Sequence, residues 1–245
     1  MGVARCQAVS HRSPSSACVV GPILRSVTGP RTTWRADVGE DNARWLATEC
    51  RTARLAGEYR PRDLGGGYVE VNALALGAST VSGTLAVNTA GAITQTGALT
   101  VTGATTLAAG AANDITLANA ANNFSSVAVT SGNNVSLRDS NAIALSTSTA
   151  ATSLTVVAGG AITQTGAITA PTLAAKTLVN AGAAITLNNA GNEAATVNLQ
   201  ARNAADTANA AGAISYRDAT GFDVAAVNTT STLALQSSGN ITQSG

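Results

Sequence analysis

The sequence is 245 residues long, 45% hydrophobic but only 3% aromatic, with 14 basic and 13 acidic side chains for a net charge of +1. That balance averages two unlike parts: ten basic residues precede position 70, while from residue 71 onward four basic residues face six acidic ones and no basic stripe with interleaved aromatics occurs, so no nucleic-acid partner is expected. No stretch approaches the roughly 18 consecutive apolar residues of a membrane helix, so the chain is not expected to be transmembrane itself.

Residues 1–66 form the first region. They hold all three cysteines (Cys6, Cys18, Cys50), both tryptophans (Trp34, Trp45) and the single histidine, His11. The bias toward arginine and the lack of strand alternation predict an irregular segment, poorly ordered or not native to the rest, with a small capping domain as the third reading. Within it, Asp41 to Ala56 has the pattern of a helix, capped by Asp41 or Asn42 and stopped by Gly57 and Pro61. No signal peptide is recognisable, because the longest apolar run, Ala17–Leu24, is broken by Gly21-Pro22 and no convincing small-residue cleavage site follows.

Residues 67–245 form the second region, and a heptapeptide organises it. Gly91-Ala-Ile-Thr-Gln-Thr-Gly97 returns as Gly160-Ala-Ile-Thr-Gln-Thr-Gly166 and as Gly239-Asn-Ile-Thr-Gln-Ser-Gly245. The first two copies are 69 residues apart and the last two 79, and laying 72–101 over 141–170 gives 17 identities in 30 positions. Units of about 69–79 residues therefore repeat, and such units must stack to bury their apolar faces. Inside each unit short runs alternate apolar with hydroxyl residues, as in Leu99-Thr-Val-Thr102, Ile115-Thr-Leu117 and Val135-Ser-Leu137. This is the period of half-buried strands. Gly, Asn, Asp and Ser separate the runs, and one proline, Pro171, occurs in the whole repetitive part.

The expected fold is all-β: a parallel β-solenoid of coils of about 20–23 residues, about three coils per unit. Its inward positions should be Leu85, Val87, Ile93, Leu99, Val101, Ile115, Leu117, Val127, Val135, Leu137, Leu154, Val156, Ile162, Ile185, Leu187, Val197 and Leu199.

The Gly-Ala-Ile-Thr-Gln-Thr-Gly units, the strands around Asn113–Leu117 and Asn133–Asp139 and the Ala/Thr/Asn/Gly-rich background resemble the passenger repeats of filamentous-haemagglutinin-like bacterial exoproteins over residues about 68–245. The resemblance implies a right-handed parallel β-helix. It also implies autotransporter-like export through an outer-membrane transporter barrel, and a secreted or cell-surface location as an adhesin fibre that mediates attachment or aggregation. The host-cell receptors or glycans it would meet are not specified by it. The family's long signal sequence and N-terminal secretion domain have no counterpart here, so the chain reads as a fragment. The absence of cysteine from the repeats suits a passenger threaded through a pore.

Candidate chemistry is sparse. The repeats contain no histidine or cysteine and their carboxylates are scattered, so no catalytic residue, cofactor site or metal site is expected and the chain is read as not an enzyme. The alternatives are a β-helix polysaccharide-active enzyme and an ice-binding solenoid. Asn113-Asp114 is read as an Asx turn, and Arg138-Asp139 with its counterpart Arg217-Asp218 as exposed pairs. Nine residues are inserted in the last unit between Leu199 and Ile214, which makes Gln200, Arg202, Asn203 and Asp206 the candidate binding loop.

Overall fold

The computed structural model describes residues 73–245 in full and, before them, the backbone of four strands, Val3–Gln7, Cys18–Leu24, Trp34–Gly39 and Asn42–Ala47. From residue 73 onward the chain is a parallel β-solenoid, with no helix among the described residues. One ladder runs through Leu74–Leu76, Ile93–Gln95, Ile115–Leu117, Asn134–Asp139, Ser153–Ala158, Thr172–Leu178, Thr196–Arg202, Phe222–Asn228 and Ile241–Gln243, each strand parallel to the next. A second ladder, on the other side of the shared core, runs through Thr84–Asn88, Leu99–Ala108, Asn123–Ser131, Ile143–Thr149, Ile162–Gln164, Ile185–Leu187, Ile214–Asp218 and Leu233–Ser237. The chain alternates between the two ladders, so each coil contributes one strand to each side.

The alternation in the sequence fixes which residues face inward. Ser153–Ala158 buries Leu154, Val156 and Ala158 and leaves the residues between them half-exposed, and Thr196–Arg202 does the same with Val197, Leu199 and Ala201. All seventeen positions expected to face inward are buried. Leu107, Phe124, Ile143 and Leu145 extend the same core, and Tyr216 packs edge-on against Phe222 with ring centroids 5.0 Å apart. The result is a column of aliphatic side chains in which each layer touches only the layers above and below.

Several buried positions are polar, and at one of them the polar group is left unpaired. Thr105 is stacked between Leu85 and Val127, is fully buried, and its Oγ1 has no hydrogen-bond partner. A buried hydroxyl that has lost water without replacement costs about 1–3 kcal/mol. Thr105→Val, which keeps the β-branched shape, is therefore expected to raise stability by about 1 kcal/mol. Chemical denaturation of the two proteins checks this, and a less stable valine variant counts against it.

The sequence unit and the coil do not coincide. Ile93 sits on the first ladder, but its counterpart Ile162 sits on the second. Following the first ladder, Leu74 stacks on Ile93, Ile93 on Ile115 and Ile115 on Val135, three coils, and the counterpart of Leu74 is Ile143, half a coil farther on the opposite side. A unit is thus three and a half coils rather than three: along the first ladder Leu74, Ile93, Ile115, Val135, Leu154 and Leu173 follow one another at 19, 22, 20, 19 and 19 residues, at or just below the short end of the expected range for most coils. Equivalent residues of adjacent units therefore lie on opposite sides, displaced along the axis by roughly 17 Å at about 4.8 Å per coil.

The helix read over Asp41–Ala56 is not what the described part adopts. Asn42–Ala47 is a strand, antiparallel to Trp34–Gly39 and parallel to Thr84–Asn88. Pairing with the otherwise open edge of Thr84–Asn88 outweighs the local helical pattern, which is a weak preference. Cys18–Leu24 likewise pairs in parallel with Leu74–Leu76. Residues 48–56 of the expected helix, and the rest of 1–66 apart from these strands, lie outside the described residues.

Candidate functional site

The insertion leaves the solenoid at the end of Thr196–Arg202, where Leu178 of the coil below still pairs with Arg202. The chain then turns out and returns: Arg202 and Asn209 form an antiparallel bridge, the Asn203 N–H donates to the Ala208 carbonyl at 2.9 Å, and Ala210 is buried again. Asp206 takes a left-handed backbone, φ 56°, at the tip, a conformation Asp tolerates better than most residues.

Three of the four candidate residues converge here. The Arg202 Nε donates to Asp206 Oδ1 at 3.1 Å, its Nη2 to the Asp206 carbonyl at 3.1 Å and its Nη1 to Asn209 Oδ1. Asn203 Oδ1 accepts the backbone N–H groups of Thr207 and Ala208 at 2.8 and 3.1 Å. Gln200 stands apart on the strand, where its Nε2 donates to Asn198 Oδ1 at 2.6 Å.

Two participants were not read from the sequence. Lys176, from the coil below, reaches Asp206 Oδ2 at 2.7 Å, and Asn180 Oδ1 accepts the Ala204 N–H at 3.0 Å. Lys176 was visible as one of four basic residues after position 70, but only the register that stacks it beneath Gln200 brings it to the loop. The Lys176 ammonium and the Arg202 guanidinium hold the Asp206 carboxyl below its ordinary range. The charged groups of the loop thus pair with one another, and its exposed residues are Ala204, Ala205, Asp206, Thr207, Ala208 and Asn209.

The recurring glutamine of the heptapeptide builds a second constellation. Gln95 Nε2 donates to Asn122 Oδ1 at 2.8 Å and to the Gly97 carbonyl at 2.6 Å, while Asn122 Nδ2 donates back to Gln95 Oε1 at 2.9 Å. Asn122 is fully buried, and its Oδ1 also accepts the Leu99 N–H at 2.9 Å. In the next unit Gln164 and Asn192 repeat the pair at 2.8 and 2.9 Å, with Ile168 in the place of Leu99. The closing glycine of the heptapeptide belongs to the same corner: a Cβ on Gly97 would lie 2.5 Å from the Ala78 nitrogen, and one on Gly166 would lie 2.3 Å from the Thr147 nitrogen. The sequence signal was available, since Ile115-Thr-Leu-Ala-Asn-Ala-Ala-Asn122 returns as Ile185-Thr-Leu-Asn-Asn-Ala-Gly-Asn192.

The Arg-Asp pairs are not exposed pairs. Asp139 and Asp218 are buried and point at the neighbouring coil. Asp139 Oδ2 accepts the Phe124 N–H at 2.6 Å and its Oδ1 the Asn141 N–H at 2.8 Å. Asp218 accepts the Ala194 N–H at 2.9 Å, the Tyr216 hydroxyl at 2.6 Å and the Thr220 N–H at 2.8 Å. Alternation explains the error: in Val135-Ser-Leu-Arg-Asp139 the aspartate has the parity of the inward Val135 and Leu137.

Burial raises the Asp139 carboxyl above its ordinary value against the pull of the two N–H groups. A carboxyl raised on folding adds stability that is fully present below the unfolded value, 3.8, and is lost as pH rises through the folded one. The wild type should therefore gain on Asp139→Ala as pH falls from 7 to 3. Denaturation of both proteins at the two pH values measures this; a difference that shrinks on acidification contradicts it.

Outward residues form hydroxyl columns: Thr94, Thr116, Ser136 and Thr155 on the first ladder, with Ser153, Thr172 and Thr196 beside them, and Thr163, Thr186 and Ser215 on the other ladder. The outward column on the other side of Ser136 and Thr155 carries Arg138, Val157, Lys176 and Gln200, and the two hydroxyl columns overlap only at Ser153 and Thr155, since Thr172 and Thr196 stand beside Ala174 and Asn198. Asp114 of the Asx turn accepts from the Asn134 N–H and Nδ2 at 3.0 and 3.1 Å and from Asn133 Nδ2 at 3.1 Å, starting a polar row that continues to Thr152 and Ser153. Among the described residues, no three His, Cys, Asp or Glu side chains are grouped to hold a metal ion.

A repeat family described as "Repeats of unknown function (DUF5649)" matches residues 66–131, 132–200 and 211–245. The gap between the second and third matches, 201–210, contains the inserted loop, and among the described residues the first match spans three coils and the second three and a half. No curated protein and no solved structure matches the chain.

Proposed function

The chain belongs to the DUF5649 family of repeats of unknown function, and we propose that it serves as a structural, adhesive repeat segment, the fibre shaft of a large secreted or surface-displayed bacterial exoprotein. The observation that carries this reading is the uniformity of the solenoid: one largely aliphatic column, joined at intervals by the buried side chains of Asn122, Asp139, Asn192 and Asp218, under faces of small hydroxyl and amide residues. Such a design sets length and stiffness. The repeat style resembles that of filamentous-haemagglutinin-like passengers, which supports export to the cell surface and a role in attachment or aggregation.

Beads coated with the full chain are expected to bind cells or to cluster. Exchange of residues 203–208 for a two-residue Asn-Gly turn should leave that activity unchanged, because the shaft rather than the loop carries it. Loss of binding at unchanged melting temperature would make Arg202, Asn203 and Asp206 the site instead. Beads that neither bind nor cluster would end the attachment reading.

A further inference from the structure

The outward face of the first ladder carries its charges on opposite edges. On one edge Asp114 stacks next to Asn134, and the column continues through Ser153, Thr172 and Thr196 to Asp223. On the other edge stand Arg138 and Lys176. The column between them, Thr116, Ser136, Thr155 and Ala174, is made of small residues that let a second flat surface approach.

Two of these charges are unspent. Lys176 is held by Asp206, whereas the Arg138 guanidinium, half-buried, meets no acceptor among the described residues. Asp114 is exposed, and the three hydrogen bonds it accepts all go to Oδ1, so Oδ2 has no donor.

We infer that this face is a contact between two parallel copies of the chain, in which Arg138 of each meets Asp114 of the other. A twofold axis running along the solenoid over the middle column sets each edge of one copy opposite the other edge of its partner at the same height. Arg138 then faces Asn134, with Asp114 one rung of about 4.8 Å away, within an arginine's reach. An antiparallel pair would set the basic edge on the basic edge and the acidic on the acidic, so charge selects the parallel one. The opposite side of the solenoid has Arg217 in the place of Arg138, but Ala184 and Ala213 where Asp114 and Asn134 stand. The contact is therefore one-sided and closes at two copies. Five rungs separate Asp114 from Asp223, and with columns about 7 Å apart the face measures about 500 Å² per copy, the size of a weak, transient association. The dimer supplies a surface for the clustering proposed above and rests on that reading for its purpose, but not for its test.

Sedimentation equilibrium of the full chain provides that test. At about 20 mM salt a dimer should be populated at roughly 0.5 mM protein, and it should weaken roughly tenfold or more in about 0.5 M salt. Arg138→Asp and Asp114→Arg should each leave a monomer, and an equal mixture of the two variants should dimerise again, because mixing restores both opposite-charge pairs. Asp114→Asn, which keeps the Oδ1 acceptor for the two asparagines, should also weaken the dimer while melting as the parent does; Arg217→Asp should leave it intact. A chain monomeric at low salt, a dimer indifferent to Arg138→Asp, or variants that melt as the parent does yet fail to pair on mixing would overturn the inference. A dimer in solution whose coated beads neither bind nor cluster would end the attachment reading and leave the contact standing.

Discussion

Replacing Ile162 by Asp is expected to abolish cooperative folding of the solenoid around it. Ile162 is fully buried between Ile143 and Ile185, with Leu145, Leu187 and Ile168 in the same core. A carboxylate there has no cation or N–H to meet, because the neighbouring strands' backbone groups are engaged in the ladder. Burying it costs several kcal/mol, a large share of the about 5–15 kcal/mol by which a domain is stable. In a solenoid the damage also spreads in both directions, since the coils on either side lose the layer on which they stack. Circular dichroism should show a melting temperature lower by 10 °C or more or no cooperative transition. Arg138→Ala supplies the contrast: its side chain lies in an outward column, and its loss should stay within about 0.5 kcal/mol. Similar melting of the two variants would mean that the core is not the continuous column described.

What was legible in the sequence is the part that parity decides. Strands such as Val135–Leu137 and Leu154–Val156 alternate strictly, so their inward residues follow from the pattern. The parallel stack follows from the repeat, because units that cannot close on themselves must stack. Parity, followed one residue further, would also have placed Asp139 and Asp218 inside; an aspartate ordinarily reads as exposed, and only the N–H groups of Phe124 and Ala194 explain its burial. The half-coil was hidden for another reason. Coil length depends on how tightly each corner turns, and the sequence offset of 69 residues admits three long coils or three and a half short ones. The candidate loop was found from the shift in repeat offset, whereas Lys176, which closes on Asp206, comes from another coil and needed the three-dimensional register.

The glutamine of the heptapeptide makes the strongest claim on stability outside the aliphatic core. Asn192 Nδ2 donates to Gln164 Oε1 at 2.9 Å, to the Leu187 carbonyl at 3.1 Å and to the Arg217 carbonyl at 3.0 Å, and its Oδ1 accepts from Gln164 Nε2 and the Ile168 N–H. One side chain thus joins three successive coils at a corner where the strand ladder is interrupted. Asn192→Ala leaves the Ile168 N–H, the Leu187 carbonyl and half of the Gln164 amide unpaired in a dry site. Each orphaned group costs about 1–3 kcal/mol, so a loss of about 3 kcal/mol or more is expected by chemical denaturation. Asn122→Ala should cost less, because Asn122 makes the matching bonds to Gln95, Leu117 and Leu99 but none to the coil beyond. Gln164→Ala combined with Asn192→Ala should cost less than the two single losses added, by at least about 1 kcal/mol, as expected for groups that satisfy each other. Strict additivity, or an Asn192→Ala variant as stable as the parent, would reduce the repeated glutamine to a surface residue and leave the aliphatic column alone to set the register of the coils.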